Sequence, residues 1–444
     1  MTSVDEPVDG PPETDVAPGA DDDTGGGGDE RSRTFSELLR DSVFAPFFFS
    51  NAVSNTGNWF QNVAAGIVVY DLTGSNTAVG AVSMLQFTAT MLLTPLAGRL
   101  TDRVDRRWML FCGQFVAFLG ALGLAITVVV VGIDDLPGPW PIYAATAVIG
   151  IGAAIILPSL QAVVPALVPR ADLDRAITLN SMTFNIARGV GPVAAGAVIA
   201  AFGAAWAFGI NTLTFVPLLV VLAIIRPGGA VRPDDEPAHD AEGGTTVVDA
   251  VRWVRAHPTV LVLLVGTLGV GWTSDPFSTL MPAVSDGFGY GETVVGLLVG
   301  AFGLGAALTA PATDRIRDRL GRGRVSATGL AVSSVGLAVI ALAPIVHLAL
   351  LGALVAGSGF LLGVTSTNTE LQRGIPEELR GRVMALWSVA FLGCRPIAAL
   401  VDGSIADATS PSVALGVAAA VAATTSAFLF RRQPRGAEIA GAGS

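Results

Sequence analysis

The sequence predicts an all-α integral membrane protein with twelve transmembrane helices in two pseudo-symmetric six-helix bundles. Three observations carry that expectation. The chain of 444 residues is 51% hydrophobic and only 14% charged, too few polar residues to cover a soluble surface of that size. It divides into twelve apolar stretches, each near the ~20 residues a helix needs to cross a bilayer. The arginines between those stretches fall in alternate links.

Taken in order, residues 1–33 form a tail whose acid sits largely in Met1–Glu30, with DDDTGGGGDE at the end of that stretch. Its Gly/Asp/Pro composition predicts disorder, and it has no apolar region of the kind a secretion signal needs. Thr34 to Ser42 reads as a short amphipathic approach to the membrane. Six spans near 44–69, 77–100, 108–132, 140–164, 176–201 and 203–225 make the first bundle, residues 34–225. Residues 226–258 are a linker, polar at first (RPGGAVRPDDEPAHDAEGG) and then TTVVDAVRWVRAHP. There Val247, Val248, Val251 and Val254 recur at helical spacing, with Thr246 and Asp249 resembling a capping box. Spans near 259–284, 292–313, 325–345, 347–371, 382–402 and 409–430 make the second bundle, residues 259–430, and 431–444 is a short tail.

Charge sets the orientation. Even-numbered links hold arginines such as Arg103, Arg106, Arg107, Arg170, Arg175, Arg315, Arg317, Arg373 and Arg380, whereas odd links hold acids such as Asp71, Asp134, Asp286 and Asp407. This positive-inside alternation places both termini and the linker in the cytoplasm, in a multi-pass protein of the plasma membrane.

The halves repeat. DRVDRR at 102–107 is matched by DRLGRGR at 318–324, LQAVVP at 160–165 by LQRGIP at 371–376, and Arg188 by Arg395. The matches keep their order at a separation of roughly 200 to 216 residues, the layout of a secondary transporter.

Composition also removes chemistry. All 26 basic residues are arginine, so a phosphate-binding G-x-x-x-x-G-K-[ST] loop and a lysine Schiff base are both impossible. His239, His257 and His347 have no metal-ligand spacing, and Cys112 and Cys394 sit in apolar runs as packing residues. An enzyme is therefore not expected, nor a cofactor, nor a nucleic-acid partner.

The stretch GRLTDRVDRR, Gly98 to Arg107, resembles the signature loop of the major facilitator superfamily, departing from it at Asp105, where the pattern has glycine. RGVGPVAAG, Arg188 to Gly196, is similar to that superfamily's antiporter motif. SNTGNW (54–59), LQAVVPALVPRADLDRA (160–176), VRWVRAHP (251–258) and LQRGIPEELRGRVMAL (371–386) resemble the branch that contains the enterobactin exporter and macrolide efflux pumps. That branch often has Asp where this chain has Asn58. The resemblance covers about residues 35–430 and implies the major facilitator fold and proton-coupled efflux of a small molecule, drug-like or a siderophore. It implies a gating role for Gly98, Asp102, Arg103, Arg106 and Arg107, with Asp102 docking near Gly381 and Arg382, and an antiporter-like role for Gly189, Gly191, Pro192 and Gly196.

Candidate transport residues follow from cost. Arg188 and Arg395 lie about a dozen residues into their spans, near the midplane at ~1.5 Å per residue, where an arginine costs about 2.5–3.5 kcal/mol. Asp275, followed by the helix-breaking Pro276, is the matching acid. Either the three line a central cavity, with Asp275 taking the proton and an arginine meeting an anionic or polar substrate, or they form a structural ion pair, or an arginine caps carbonyls freed at Pro192. Asn55, Asn58 and Asn62 share one helical face, for substrate contact or for interhelical hydrogen bonds. Trp59 and Trp272 are candidate pocket aromatics, while Trp108, Trp140 and Trp206 fall at span ends as interface anchors. Glu370 is a candidate gate partner, or a solvated rim acid. The expected partners are a small-molecule substrate, protons and the lipid bilayer, with the chain a monomer. The rival class, a transporter-like sensor or assembly factor, would need no midplane charge and would carry a larger soluble domain than this linker.

Overall fold

The computed structural model describes residues 33–101, 104–225, 247–290, 292–375 and 377–432. The predicted disorder of the acidic tail, the polar part of the linker with Thr246, the C-terminal tail beyond 432, and Asp102 and Arg103 lie outside the described residues.

Among the described residues there is no strand. Twelve long helices follow one another: α1 Phe44–Thr73, α2 Asn76–Thr101, α3 Arg106–Val131, α4 Trp140–Ala166, α5 Leu173–Phe202 and α6 Ala204–Ile224, then α7 Pro258–Ser274, α8 Glu292–Thr309, α9 Arg322–Leu342, α10 Val346–Gly374, α11 Glu377–Ala408 and α12 Pro411–Arg432. Ten candidate spans are long and apolar enough to cross a bilayer. α1 and α5, 30 residues each, complete a set consistent with twelve. α1 falls short on composition because it carries Asn51, Asn55, Asn58, Gln61 and Asn62, and helices with such a face are stable in a membrane only where the face looks inward.

The packing shows the duplication directly. In the first half α1 packs on α5 and α6, α3 on α4 and α6, and α2 on α4. Six helices later the same set recurs: α7 on α11 and α12, α9 on α10 and α12, and α8 on α10. The halves meet through α2 against α11 and α5 against α8, two contacts that the same pseudo-symmetry relates. Small residues permit both. A Cβ on Gly196 would stand 2.7 Å from the Gly296 Cα, and one on Gly80 2.5 Å from the Ala399 carbonyl oxygen, so the backbones touch as small-residue interfaces in membranes do.

Three elements differ from the sequence expectation. The seventh span stops at Ser274, turns at Asp275, and resumes as Pro276–Thr279 and Met281–Gly287, because Pro276 offers no backbone N–H to continue the ladder. The eighth extends past residue 313 through Ala310–Ala312 into a helix Thr313–Leu320, so the whole run DRIRDRL, 314–320, is helical and the chain turns only at Gly321, φ 79°. Before the first span, the helix is only Phe35–Leu38, started by a reciprocal Thr34–Glu37 capping box.

Candidate functional site

A cavity of about 780 Å³ lies between the halves, walled mainly by the first. Its polarity follows from α1. Asn51, Asn55, Asn58 and Asn62 recur at intervals of three and four, which stacks them on one face, and all four line the cavity. Gln61, one residue off that register, turns away and accepts the Asn211 side-chain amide of α6 at 3.2 Å. The row thus divides into cavity amides and one interhelical bond. Asn51 also donates to the Asn180 side-chain oxygen of α5 at 2.9 Å, tying the amides to their neighbour. Gln86, Gln114 and Gln161 extend the amide lining from α2, α3 and α4.

Trp59 lines the same wall and packs on Gly191, where a Cβ would come within 2.8 Å of the Trp59 Cβ. The stretch 188–196 therefore serves two neighbours. Gly191 is the socket for Trp59, while Gly196 and the Pro192 carbonyl lie against Gly296 of α8. The side chains of Arg188 and Gly189 lie outside the described residues.

Arg395 of α11 reaches the cavity from the second half, accompanied by Phe391, Leu392 and Ser278. Its guanidinium carbon stands 4.0 Å from the Phe87 ring centroid on α2, a cation–π contact across the seam between halves. Its Nε has no hydrogen-bond partner. Asp275 is fully buried behind the cavity wall. Its Oδ2 accepts the Thr279 hydroxyl at 2.8 Å, its Oδ1 has no partner, and its charge and that of Arg395 attract one another.

Trp272 turns instead to a residue that the sequence did not single out. Its indole N–H donates to Asp402 Oδ1 at 3.2 Å. Asp402 is fully buried and its Oδ2 is unpartnered. By hydropathy the eleventh span ends at residue 402, where an acid costs little. The helix runs to Ala408, which places Asp402 inside. Its spacing of seven from Arg395, two helical turns, is the signal that could have found it.

The signature loop has a structural logic of its own. Asp105 accepts the backbone N–H groups of Arg107 at 2.8 Å and Trp108 at 3.3 Å and so caps α3. Arg107 donates to the Ile225 carbonyl at the end of α6 and lies 5.0 Å above the Trp108 ring, a cation placed at a helix C-terminus. Arg106 sits at the start of α3, and the Cβ position of Gly98 faces open space.

Two further anchors lie at the ends of the bundle. Arg33 binds buried Asp172 through its backbone N–H and its Nε, both at 2.6 Å, and Asp41 at 2.8 Å. Asp172 raises Arg33 above its ordinary value. Burial opposes the Asp41 charge, but the Phe44 and Val43 backbone N–H groups and Arg33 hold that carboxyl below its ordinary value. At the opposite end, Asp407 of α11 accepts from Ser75 Oγ at 2.6 Å and from the backbone N–H groups of Asn76 at 2.6 Å and Thr77 at 2.9 Å.

Comparison with known proteins places these features in context. A family profile described as transmembrane secretion effector matches residues 33–440. The chain is 27% identical over 386 residues to the enterobactin exporter EntS of Escherichia coli O1:K1 / APEC, covering 85% of this chain and 88% of that protein. It is 26% identical over 392 residues to the EntS of Citrobacter koseri, covering 86% and 89%. Among solved structures it superposes on a point mutant of the nucleoside transporter NupG with a TM-score of 0.72 at 11% identity, covering 87% of this chain and 98% of that one. It superposes on a bacterial homologue of the iron transporter ferroportin in an inward-facing state with a TM-score of 0.70 at 19% identity, covering 89% and 98%.

Proposed function

We propose, from the premise that the chain belongs to the transmembrane secretion effector family within the major facilitator superfamily, that it exports a small polar molecule by alternating access, driven by the proton gradient. The observation that carries this reading is the amide-lined cavity of about 780 Å³ between two six-helix halves, with Arg395 on its wall and buried Asp275 behind it.

The amides offer both donors and acceptors, and Trp59, Phe87 and Phe391 offer apolar faces. That combination suits a hydrogen-bond-rich molecule, drug-like or a siderophore, whose anionic or strongly polar group meets Arg395. Asp275 is the proton site, since a proton arriving there changes the charge balance that Arg395 presents to the cavity.

The arginine alternation supports a plasma-membrane protein with both termini in the cytoplasm. In that orientation the cavity, which reaches Asn51, Pro165 and Ile177, points to the cytoplasm, and Asp407 seals the outer face. The site is complete within one chain, which supports action as a monomer.

The test is uptake of enterobactin and of a macrolide antibiotic into inside-out vesicles from cells expressing the chain. Accumulation of at least one compound under an imposed proton gradient, abolished by a protonophore, is expected. No gradient-dependent uptake of either would overturn the reading.

A further inference from the structure

The placement of Asp402 extends the charge group beyond Asp275 and Arg395. α7 and α11 come into contact at Gly271, where a Cβ would stand 2.4 Å from Cys394 Sγ and 2.8 Å from the Phe391 carbonyl oxygen. That close approach brings one face of each helix together. Asp275 follows the last residue of α7 with helical backbone angles, so it lies three residues, one turn, beyond Trp272 on the same side. On α11, Arg395 and Asp402 are seven apart and share a side. The Trp272 indole joins the two faces through its bond to Asp402.

From this geometry we infer that Asp402 and Asp275 together form one proton-binding site, with Trp272 holding the second acid in place and Arg395 relaying the charge state of the pair to the cavity. The inference rests on the proton-coupled reading given above. Each carboxylate has one oxygen without a partner and a single side-chain donor on the other, Thr279 for Asp275 and Trp272 for Asp402. Both are fully buried. An ionised carboxylate so poorly solvated is costly, and two of them share one described guanidinium. One proton on the pair leaves a neutral group with Arg395, and a second makes it positive.

Among the described residues, the other ionisable groups on elements packed against the pair sit toward helix ends: His347 at the start of α10 with Glu370 and Arg373 at its other end, Glu292 at the start of α8, Asp71 near the end of α1, and Asp407 five residues beyond Asp402 on α11. Besides Arg395, α11 brings Cys394 to this side. α2 presents the backbone of Asn76 and Thr77 against Gly403, and its one arginine, Arg99, is at the far end. α12 carries no ionisable side chain before Arg431. The short helix Pro276–Thr279 carries none.

The experiment is pH-difference infrared spectroscopy of buried carboxyl groups in the reconstituted full chain, alongside the vesicle uptake described above. Two coupled acids titrate as a pair in two macroscopic steps. The wild type is expected to show two, and Asp402→Asn or Asp275→Asn a single step with about half the carboxyl signal. Trp272→Phe, which removes only the indole donor, should shift the Asp402 band and leave the Asp275 band in place. Asp402→Glu should restore both steps. A two-step titration of unchanged amplitude in Asp402→Asn overturns the two-acid site, even if Asp275→Asn still abolishes gradient-driven uptake and so sustains proton coupling. Conversely, loss of one step in each variant with no gradient-driven uptake by the wild type keeps the site and removes the transport reading.

Discussion

The Asp407 carboxylate at the end of α11 accepts the backbone N–H of Asn76, the first residue of α2, at 2.6 Å. With Ser75 and Thr77 it also binds the neighbouring donors, so one half of the molecule caps a helix of the other. A carboxylate at a helix N-terminus satisfies orphan donors and meets the positive end of the helix dipole.

This cap should hold its end of the seam between the halves closed. Removing an N-cap costs roughly 0.5–2 kcal/mol, and ~1.4 kcal/mol moves an equilibrium tenfold. Cysteines replacing Thr77 and Ser404, whose hydroxyls are 3.5 Å apart, should crosslink readily in a background lacking Cys112 and Cys394. Asp407→Ala should slow that crosslinking several-fold. An unchanged rate would show that the seam closes without the carboxylate.

The α5–α8 crossing should not tolerate side chains. Gly196→Val would drive atoms into the Gly296 backbone, an overpacking that typically costs about 1–3 kcal/mol, and the purified protein should melt earlier. Gly98→Ala meets open space and should be neutral or stabilising by up to about 1 kcal/mol, since alanine is the better helix former. Equal melting temperatures for the two variants would contradict this packing.

Asp105, the residue off the signature pattern, should matter for stability and not for its charge alone. Asp105→Ala should cost roughly 0.5–2 kcal/mol, whereas Asp105→Asn keeps a capping oxygen and should stay near the wild type. Thermal unfolding in detergent separates the two, and identical losses would remove the cap as the explanation.

The Arg33–Asp41–Asp172 anchor should be sensitive to acid. Asp41 is held below its ordinary value of 3.8. The stability it contributes is therefore fully present above that pH and is lost as pH falls beneath it. Amide exchange at Val43 and Phe44, corrected for intrinsic rate, should be equally protected from about pH 5 to 8 and released in stronger acid. Loss of protection within that range would contradict the assignment.

Much of the site was legible in advance because its residues sit where a bilayer makes them expensive. Asn55, Asn58 and Asn62 announce an inward face, and Asp275-Pro276 announces a break, from sequence alone. Asp402 was not legible, because an acid at an assumed span end carries no penalty and only the longer helix makes it interior. Asp105 stood out in sequence only as an off-pattern acid with no role, because a cap is a matter of backbone direction. Trp272 and Trp59 looked alike in sequence. Trp59 faces the cavity and Trp272 an acid, depending on how α7 is turned against α11.

The sequence by itself determined the all-helical membrane class, a set of spans consistent with twelve, and the repeat of the two halves. A bilayer core offers no water to the backbone, so length, hydropathy and arginine placement suffice to read them. Only the tertiary structure decided which faces meet: the division of the α1 amides, the Asp407 cap and the joining of Trp272 to Asp402. Those pairings span over a hundred residues of chain and depend on helix rotation and on glycines that let backbones touch, which local pattern does not encode.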